Sequence, residues 1–127
     1  FMGLLEKEGV GIINSAVFHS GFLVGGDHFD YQKMNPNDPL FSQRYKWRNK
    51  FLMLCEAQEV IPAHACIQFS LQLPGVNALA LNSTSIHRIR ANVSYCESPL
   101  PDSFWDLLKE QGMVAEYLSE FNLNKIE

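Results

Sequence analysis

The chain has 127 residues, 46% of them hydrophobic: enough for one domain with a core of its own and too apolar for a disordered segment. Its 14 Asp and Glu against 10 Lys and Arg leave a formal charge of −4, which speaks against a nucleic-acid partner, because neutralising phosphates takes clustered cations. No apolar run approaches the ~20 residues that span a bilayer, so no membrane partner is expected, and the 3 cysteines include no C-x-x-C pair, which fits unpaired thiols in a reducing, cytoplasmic compartment.

In chain order, Leu4-Leu5-Glu6-Lys7-Glu8-Gly9 reads as a helix end with Gly9 as its C-cap. No start signal precedes it, so sequence upstream is expected, and the basic flank of a signal peptide is absent. Residues 9–15 (Gly9-Val10-Gly11-Ile12-Ile13-Asn14-Ser15) then form a short run, apolar on both faces, that ends in small polar residues. Such a run predicts a strand buried on both sides in a parallel α/β sheet. Residues 16–26 carry three glycines that permit sharp turns, and Asn35-Pro36-Asn37-Asp38-Pro39 makes residues 27–41 a long loop.

Helical spacing returns over residues 43–60, with Trp47, Phe51, Leu54 and Cys55 as its apolar stripe. Lys46, Arg48 and Lys50 interleave with Trp47 and Phe51 and read as the solvated face of that helix. Pro62 suits the first turn of the next helix, lined by Cys66, Phe69 and Leu73 and stopped by Pro74-Gly75. Residues 76–83 are a second buried strand. Ser85 caps a helix with Ile86, Ile89 and Val93 as its expected inner face. After Pro99 and Pro101, Asp102 is expected to cap a helix bearing Phe104, Trp105, Leu107 and Leu108, closed by Gly112. Residues 114–121 extend the pattern as a tail helix.

In parallel sheets ligands bind where strand C-termini meet the following loops, which singles out Asn14, Ser15, Asn82 and Ser83. The segment from Leu81 to Val93 runs from a polar strand end into a helix N-terminus. Its free N–H groups, hydroxyls and dipole favour an anion, and Arg88 lies one turn in, able to fork onto a phosphate or stack on a purine. Other constellations carry less. Asp27, His28, Asp30 and His19 fall in a loop that supplies turn-forming Asp regardless, and no metal is expected. His64 and His87 read as solvated, Cys55 and Cys66 as core residues, and Ser20-Gly21 lacks the G-x-S-x-G of a hydrolase elbow.

Several segments together carry a resemblance. They are Gly11-Ile12-Ile13-Asn14-Ser15-Ala16-Val17-Phe18 followed by Ser20-Gly21-Phe22-Leu23, the run from Pro62 through Gln68-Phe69 to Leu73-Pro74-Gly75-Val76, the stretch from Ser83 to Asn92, and the close Pro99-Leu100-Pro101 with Phe104-Trp105-Leu107-Leu108. In this order and spacing the chain resembles the C-terminal part of an aldo-keto reductase, closest to the bacterial D-threo-aldose and L-fucose 1-dehydrogenase branch. The resemblance implies an α/β fold in which all 127 residues are one partial domain, the last two βα units of a (β/α)8 TIM barrel, helix-rich as an isolated fragment. It implies an oxidoreductase that uses NAD or NADP to oxidise an aldose at C1.

Under the same resemblance Asn14, Ser15, Phe18, Ser20, Gly21, Leu23, Asn82, Ser83, Arg88 and Asn92 belong to the cofactor site. Ser83, Arg88 and Asn92 match positions that hold the adenosine end. Asn82 stands where the family commonly has a lysine for the 2′-phosphate, which makes NAD plausible. Ser15 stands where an aromatic residue often stacks on the nicotinamide. The family's catalytic Asp, Tyr, Lys and His have no counterpart, and Tyr31, Tyr45, Tyr95 and Tyr117 match none of them, so the chain alone is expected to be inactive. The competing expectation is a non-catalytic module that self-associates as a homo-oligomer through faces a missing neighbour would cover.

Overall fold

A computed structural model describes residues 1–114. The first helix, α1 (Met2–Lys7), ends as its sequence predicts: Gly9 is left-handed at φ +69°, and the Gly9 and Val10 N–H groups donate back to the Glu6 and Leu5 carbonyls. This double closure satisfies carbonyls that the helix itself leaves open. Strand β1 (Ile12–Asn14) follows, and strand β4 (Val76–Leu79) lies beside it in parallel, with Ile13 opposite Ala78, Asn14 opposite Leu79, and an irregularity between Ile12 and Ile13. The turn into β4 brings Gly75 against β1 at φ +74°, where a Cβ would come within 3.1 Å of the Ile12 side chain.

The strands are shorter than the apolar runs that predict them, and they are not buried on both faces. Ile13 is 69% exposed, and Asn77 and Ala78 are open to solvent. The reason is topological: among the described residues each of these strands has one hydrogen-bonded neighbour, and the helix packed on β4 is α3.

Residues 16–41 hold more structure than a loop. A short 3-10 turn (Phe22–Val24) leads into a hairpin of β2 (His28–Phe29) and β3 (Gln32–Lys33). Its two tip residues, Asp30 and Tyr31, both have positive φ, the geometry that matches the twist of paired strands. Asp38 then accepts from the Leu40 N–H at 2.9 Å and caps a second 3-10 turn (Pro39–Phe41). Phe22, Met34 and Tyr45 form a small core of their own beneath the hairpin.

Helix α2 (Ser42–Ala57) stops short of Val60 because Glu59 turns left-handed at φ +55°, with Glu59 and Val60 donating back to Glu56 and Cys55. Helix α3 (Pro62–Gln72) starts on Pro62 as expected. Phe51 and Cys55 of α2, Ala65, Cys66 and Ile67 of α3, and Phe104, Trp105 and Leu108 of helix α5 (Asp102–Glu110) meet in the main core with Val17 and Met113. Asp102 is the first residue of α5 rather than its cap. Pro101 precedes it, and the Asp102 carboxylate acts on the positive end of the helix instead.

Helix α4 (Ile86–Glu97) begins on Ser85, whose Oγ accepts from the Arg88 N–H at 3.5 Å. Its expected inner face is reversed. Ile86, Ile89 and Val93 are 58%, 47% and 55% exposed, and the residues packed on the core are Tyr95 and Cys96. Spacing identifies a stripe but cannot identify its partner, and α3 offers α4 a different side. Apart from Val114, the expected tail helix lies outside the described residues.

Candidate functional site

The two parallel strands end together. The Ala80 N–H donates to the Asn14 carbonyl at 2.8 Å, so both C-termini open toward the same end of the pair. Beyond β1, Asn14 and Ser15 line a largely apolar cavity of about 540 Å³ that reaches down to Phe51, Phe69 and Trp105. Leu23 also lines it. The backbone from residue 16 to 25 is unusually left-handed: Ala16, His19 and Ser20 have φ of 57°, 45° and 58°, and Gly21 and Gly25 reach 91° and 101°. Such conformations cost on the order of 1 kcal/mol or more each outside glycine and persist only where surroundings hold them.

The surroundings are specific. The Gly21 and Leu23 N–H groups both donate to the Phe18 carbonyl, and the Gly26 N–H donates to the Gly21 carbonyl at 2.9 Å. Ser20 Oγ accepts from the Tyr31 N–H at 3.0 Å and ties this loop to the hairpin tip. Phe18, Ser20 and Gly21 thus belong to the loop beside the cavity, while Asn14, Ser15 and Leu23 line it.

Asn82, Ser83, Arg88 and Asn92 do not line that cavity; Asn82 and Ser83 sit on the neighbouring β4–α4 connection, and Arg88 and Asn92 on α4 itself. Ser83 Oγ accepts from the Ser85 N–H at 3.1 Å, and Ser85 in turn caps α4. Asn82 and Arg88 are exposed, Asn92 is half-buried, and Arg88 is in no ion pair among the described residues.

Sequence reasoning missed His19, Phe29, Arg44 and Trp47 as cavity-lining residues. His19 stacks on Phe29 with centroids 4.9 Å apart, and the Arg44 guanidinium covers the Phe29 ring at 4.4 Å. Trp47 falls on the apolar stripe read from the sequence, but Arg44 carries no signal there, and the cluster Lys46, Arg48 and Lys50 reads as a solvated face. Arg48 is in fact half-buried, whereas Lys46 and Lys50 are exposed. His64 is half-buried rather than fully solvated: it stacks on Tyr95 at 4.7 Å, and its Nε2 donates to the Ser98 carbonyl. His87 is exposed, as expected.

Asp27 accepts from His28 at 2.7 Å and lies 3.5 Å from Lys33. Desolvation opposes ionisation there, but the hydrogen bond from His28 and the electrostatic pull of His28 and Lys33 together outweigh it and hold the carboxyl below its ordinary value. His19 lies 3.8 Å from Asp30, a separate pair, and no group of three metal-ligating side chains exists among the described residues. Burial pushes the thiols of Cys55 and Cys66 up to about 11 and about 12, which makes them core residues without nucleophilic character at neutral pH. No tyrosine, lysine or carboxylate of the described residues lines the cavity; Tyr45 points elsewhere, donating to the Met34 carbonyl at 3.2 Å.

The sequence profile described as the aldo/keto reductase family matches residues 1–112. The chain belongs to the aldo/keto reductase family. A curated relative, pyridoxal 4-dehydrogenase of Microbacterium luteolum, is 29% identical over 119 residues, which is 91% of this chain. The chain spans 33% of that relative's length. No solved structure matches. In an aldo/keto reductase the implied cofactor is a nicotinamide dinucleotide, and the donor set suits one. The first turn of α4 carries no acidic residue, its leading N–H groups lie at the helix start, Ser83 supplies a hydroxyl on the approach, and Arg88 supplies a guanidinium one turn in that is in no ion pair among the described residues.

Proposed function

We propose that this chain is the C-terminal, cofactor-binding part of an NAD(P)-dependent oxidoreductase, with β1 and β4 as the last two strands of a (β/α)8 barrel. One observation carries the reading. Two parallel strand ends, side by side, face a turn-rich loop on one side and a cation-bearing helix start on the other. That is where parallel α/β folds hold their ligands.

The bound dinucleotide supplies the nicotinamide ring that exchanges hydride with substrate. Arg88 neutralises phosphate or stacks on the adenine, and Ser83 and Asn92 hydrogen-bond the adenosine end. The neutral Asn82 offers no charge for a 2′-phosphate, which favours NAD over NADP. Asn14 and Ser15 form one wall beside the ring, and Phe18, Ser20, Gly21 and Leu23 belong to the covering loop. Proton transfer needs a donor within about 3 Å of the reacting oxygen. The cavity's polar lining is Asn14, Ser15, His19, Arg44 and Ser70, none a match for a catalytic tyrosine and lysine. The acid–base group therefore comes from the remainder of the barrel, in the cytoplasm where the free thiols stay reduced.

For the substrate we propose an aldose oxidised at C1. The relative's name points to pyridoxal, and the two share a reacting group: an aldehyde that a hydroxyl of the same molecule closes into a cyclic hemiacetal. The test is the full-length protein carrying this sequence, assayed for dinucleotide reduction with L-fucose, D-arabinose and pyridoxal. NAD-dependent turnover of a sugar is the expected result. Turnover of pyridoxal alone would replace the substrate, and no dinucleotide binding at all would remove the proposal.

A second reading has its own observation. The stripe Ile86, Ile89 and Val93 is exposed, and β1 pairs on one edge only. Such surfaces support self-association of the chain into a homo-oligomer without chemistry.

A further inference from the structure

We infer that Arg48 is a positioning residue for the dinucleotide: it holds the loop of residues 16–26 in the shape that receives the cofactor. The inference rests on the function proposed above for that loop.

The loop's own hydrogen bonds close its turns, and side chains from outside it brace the result. The loop strings Ala16, His19, Ser20, Gly21 and Gly25 in left-handed conformations, and the three non-glycine residues among them are strained. Val17 anchors it in the main core, and Phe22, 1% exposed, anchors its middle in the small core beneath the hairpin. Phe22 packs edge-on to Tyr45 at 5.3 Å and to Phe29 at 5.7 Å. Over this group lies Arg48, its guanidinium 4.8 Å from the Phe22 ring and 4.7 Å from the Tyr45 ring. The same guanidinium donates from Nη1 to the Gly26 carbonyl at 2.9 Å. Gly26 is the far end of the loop, closed onto Gly21 by its own N–H, and a Cβ there would fall 2.9 Å from the Gly21 oxygen.

One side chain therefore covers the buried anchor and fixes the closing carbonyl. Only a planar, delocalised cation with several donors can lie on two rings and reach a third group. Arg44, one turn earlier, covers Phe29 and braces the hairpin whose Tyr31 N–H donates to Ser20. Arg48 does not line the cavity, so it acts through the loop rather than on a ligand.

The experiment compares Arg48→Met and Arg48→Lys with the parent in the full-length protein, reading dinucleotide dissociation constant, both KM values, kcat and melting temperature. Arg48→Met is expected to weaken NAD binding by about tenfold or more. The substrate KM and the kcat at saturating NAD should stay within about threefold. Lysine keeps the charge but not the fork, so Arg48→Lys should fall between the two. It also keeps the test readable should Arg48→Met fail to fold. Unchanged NAD affinity in both variants, with the parent binding NAD normally, overturns the inference. So does a loss matched by an equal loss in substrate affinity and melting temperature, which would mark a structural role alone. A parent that binds no NAD instead defeats the underlying functional reading.

Discussion

Cys55 and Cys66 sit in the main core, fully and almost fully buried. Desolvation raises both thiols from the ordinary 9.0, to about 11 and about 12. For Cys66 the neighbouring Cys55 adds to the rise. The folded state thus keeps its protons where the unfolded chain would release them. The associated stability is fully present below 9.0 and drains away between 9.0 and about 12 as pH rises. Unfolding midpoints measured across that window should fall, and replacing both cysteines with alanine or serine should flatten the fall. In the native protein near neutral pH, a thiol reagent should modify half-buried Cys96 before either core cysteine. Rapid modification of Cys55 or Cys66 under native conditions would contradict this packing. Their placement was legible, because both fall on apolar stripes at helical spacing. Glu59 was not: a glutamate in a left-handed helix cap has no sequence signature, and its conformation is imposed by Val60 seating on the core.

Helix α4 shows how an element can be recognised while its orientation is missed. Its start on Ser85 follows from capping chemistry, and the structure places it there. Its end has no glycine and runs into Pro99, so the last carbonyls need outside partners. Helix α3 supplies them. Gln68, 1% exposed, donates from Nε2 to the Tyr95 and Cys96 carbonyls, and His64 donates to Ser98. This cross-helix capping holds the Tyr95 side of α4 inward and leaves Ile86, Ile89 and Val93 outward. Local periodicity carries no information about a carbonyl cap donated from a helix 27 residues away. Gln68→Leu leaves two carbonyls unpaired and should cost about 1–3 kcal/mol, read as a lower denaturant midpoint. An unchanged midpoint would show that those carbonyls find water instead. The hairpin β2–β3 escaped for a related reason. Asp30-Tyr31 is an unusual pair for two positive φ angles, and the contacts on it come from Ser20 and His19, far back in the chain, while Arg44 covers the neighbouring Phe29.

At the scale of the molecule, the parallel pairing of β1 and β4 is what the two apolar runs predicted. The two-sided burial is not, because among the described residues each of the two strands has only the other beside it. Apolar surface left open in this way should drive association. The isolated 127-residue chain is expected to show no dinucleotide-dependent oxidation and to sediment as concentration-dependent assemblies. Ile89→Glu should shift it toward monomer. A monodisperse monomer, or measurable turnover by the chain alone, would contradict this account.

The loop beside the cavity is gripped by rings lying under guanidinium groups and by backbone hydrogen bonds, whereas the four ion pairs among the described residues are on exposed or half-exposed side chains. Short-range stacking over a buried ring is poorly screened by electrolyte, but the pull of Arg88 on a distant anion fades within about 10 Å at 0.1 M salt. Under the proposed function, brine should therefore slow the arrival of an anionic cofactor without unseating the loop beside the cavity: what ionic strength removes is attraction, and the shape stays.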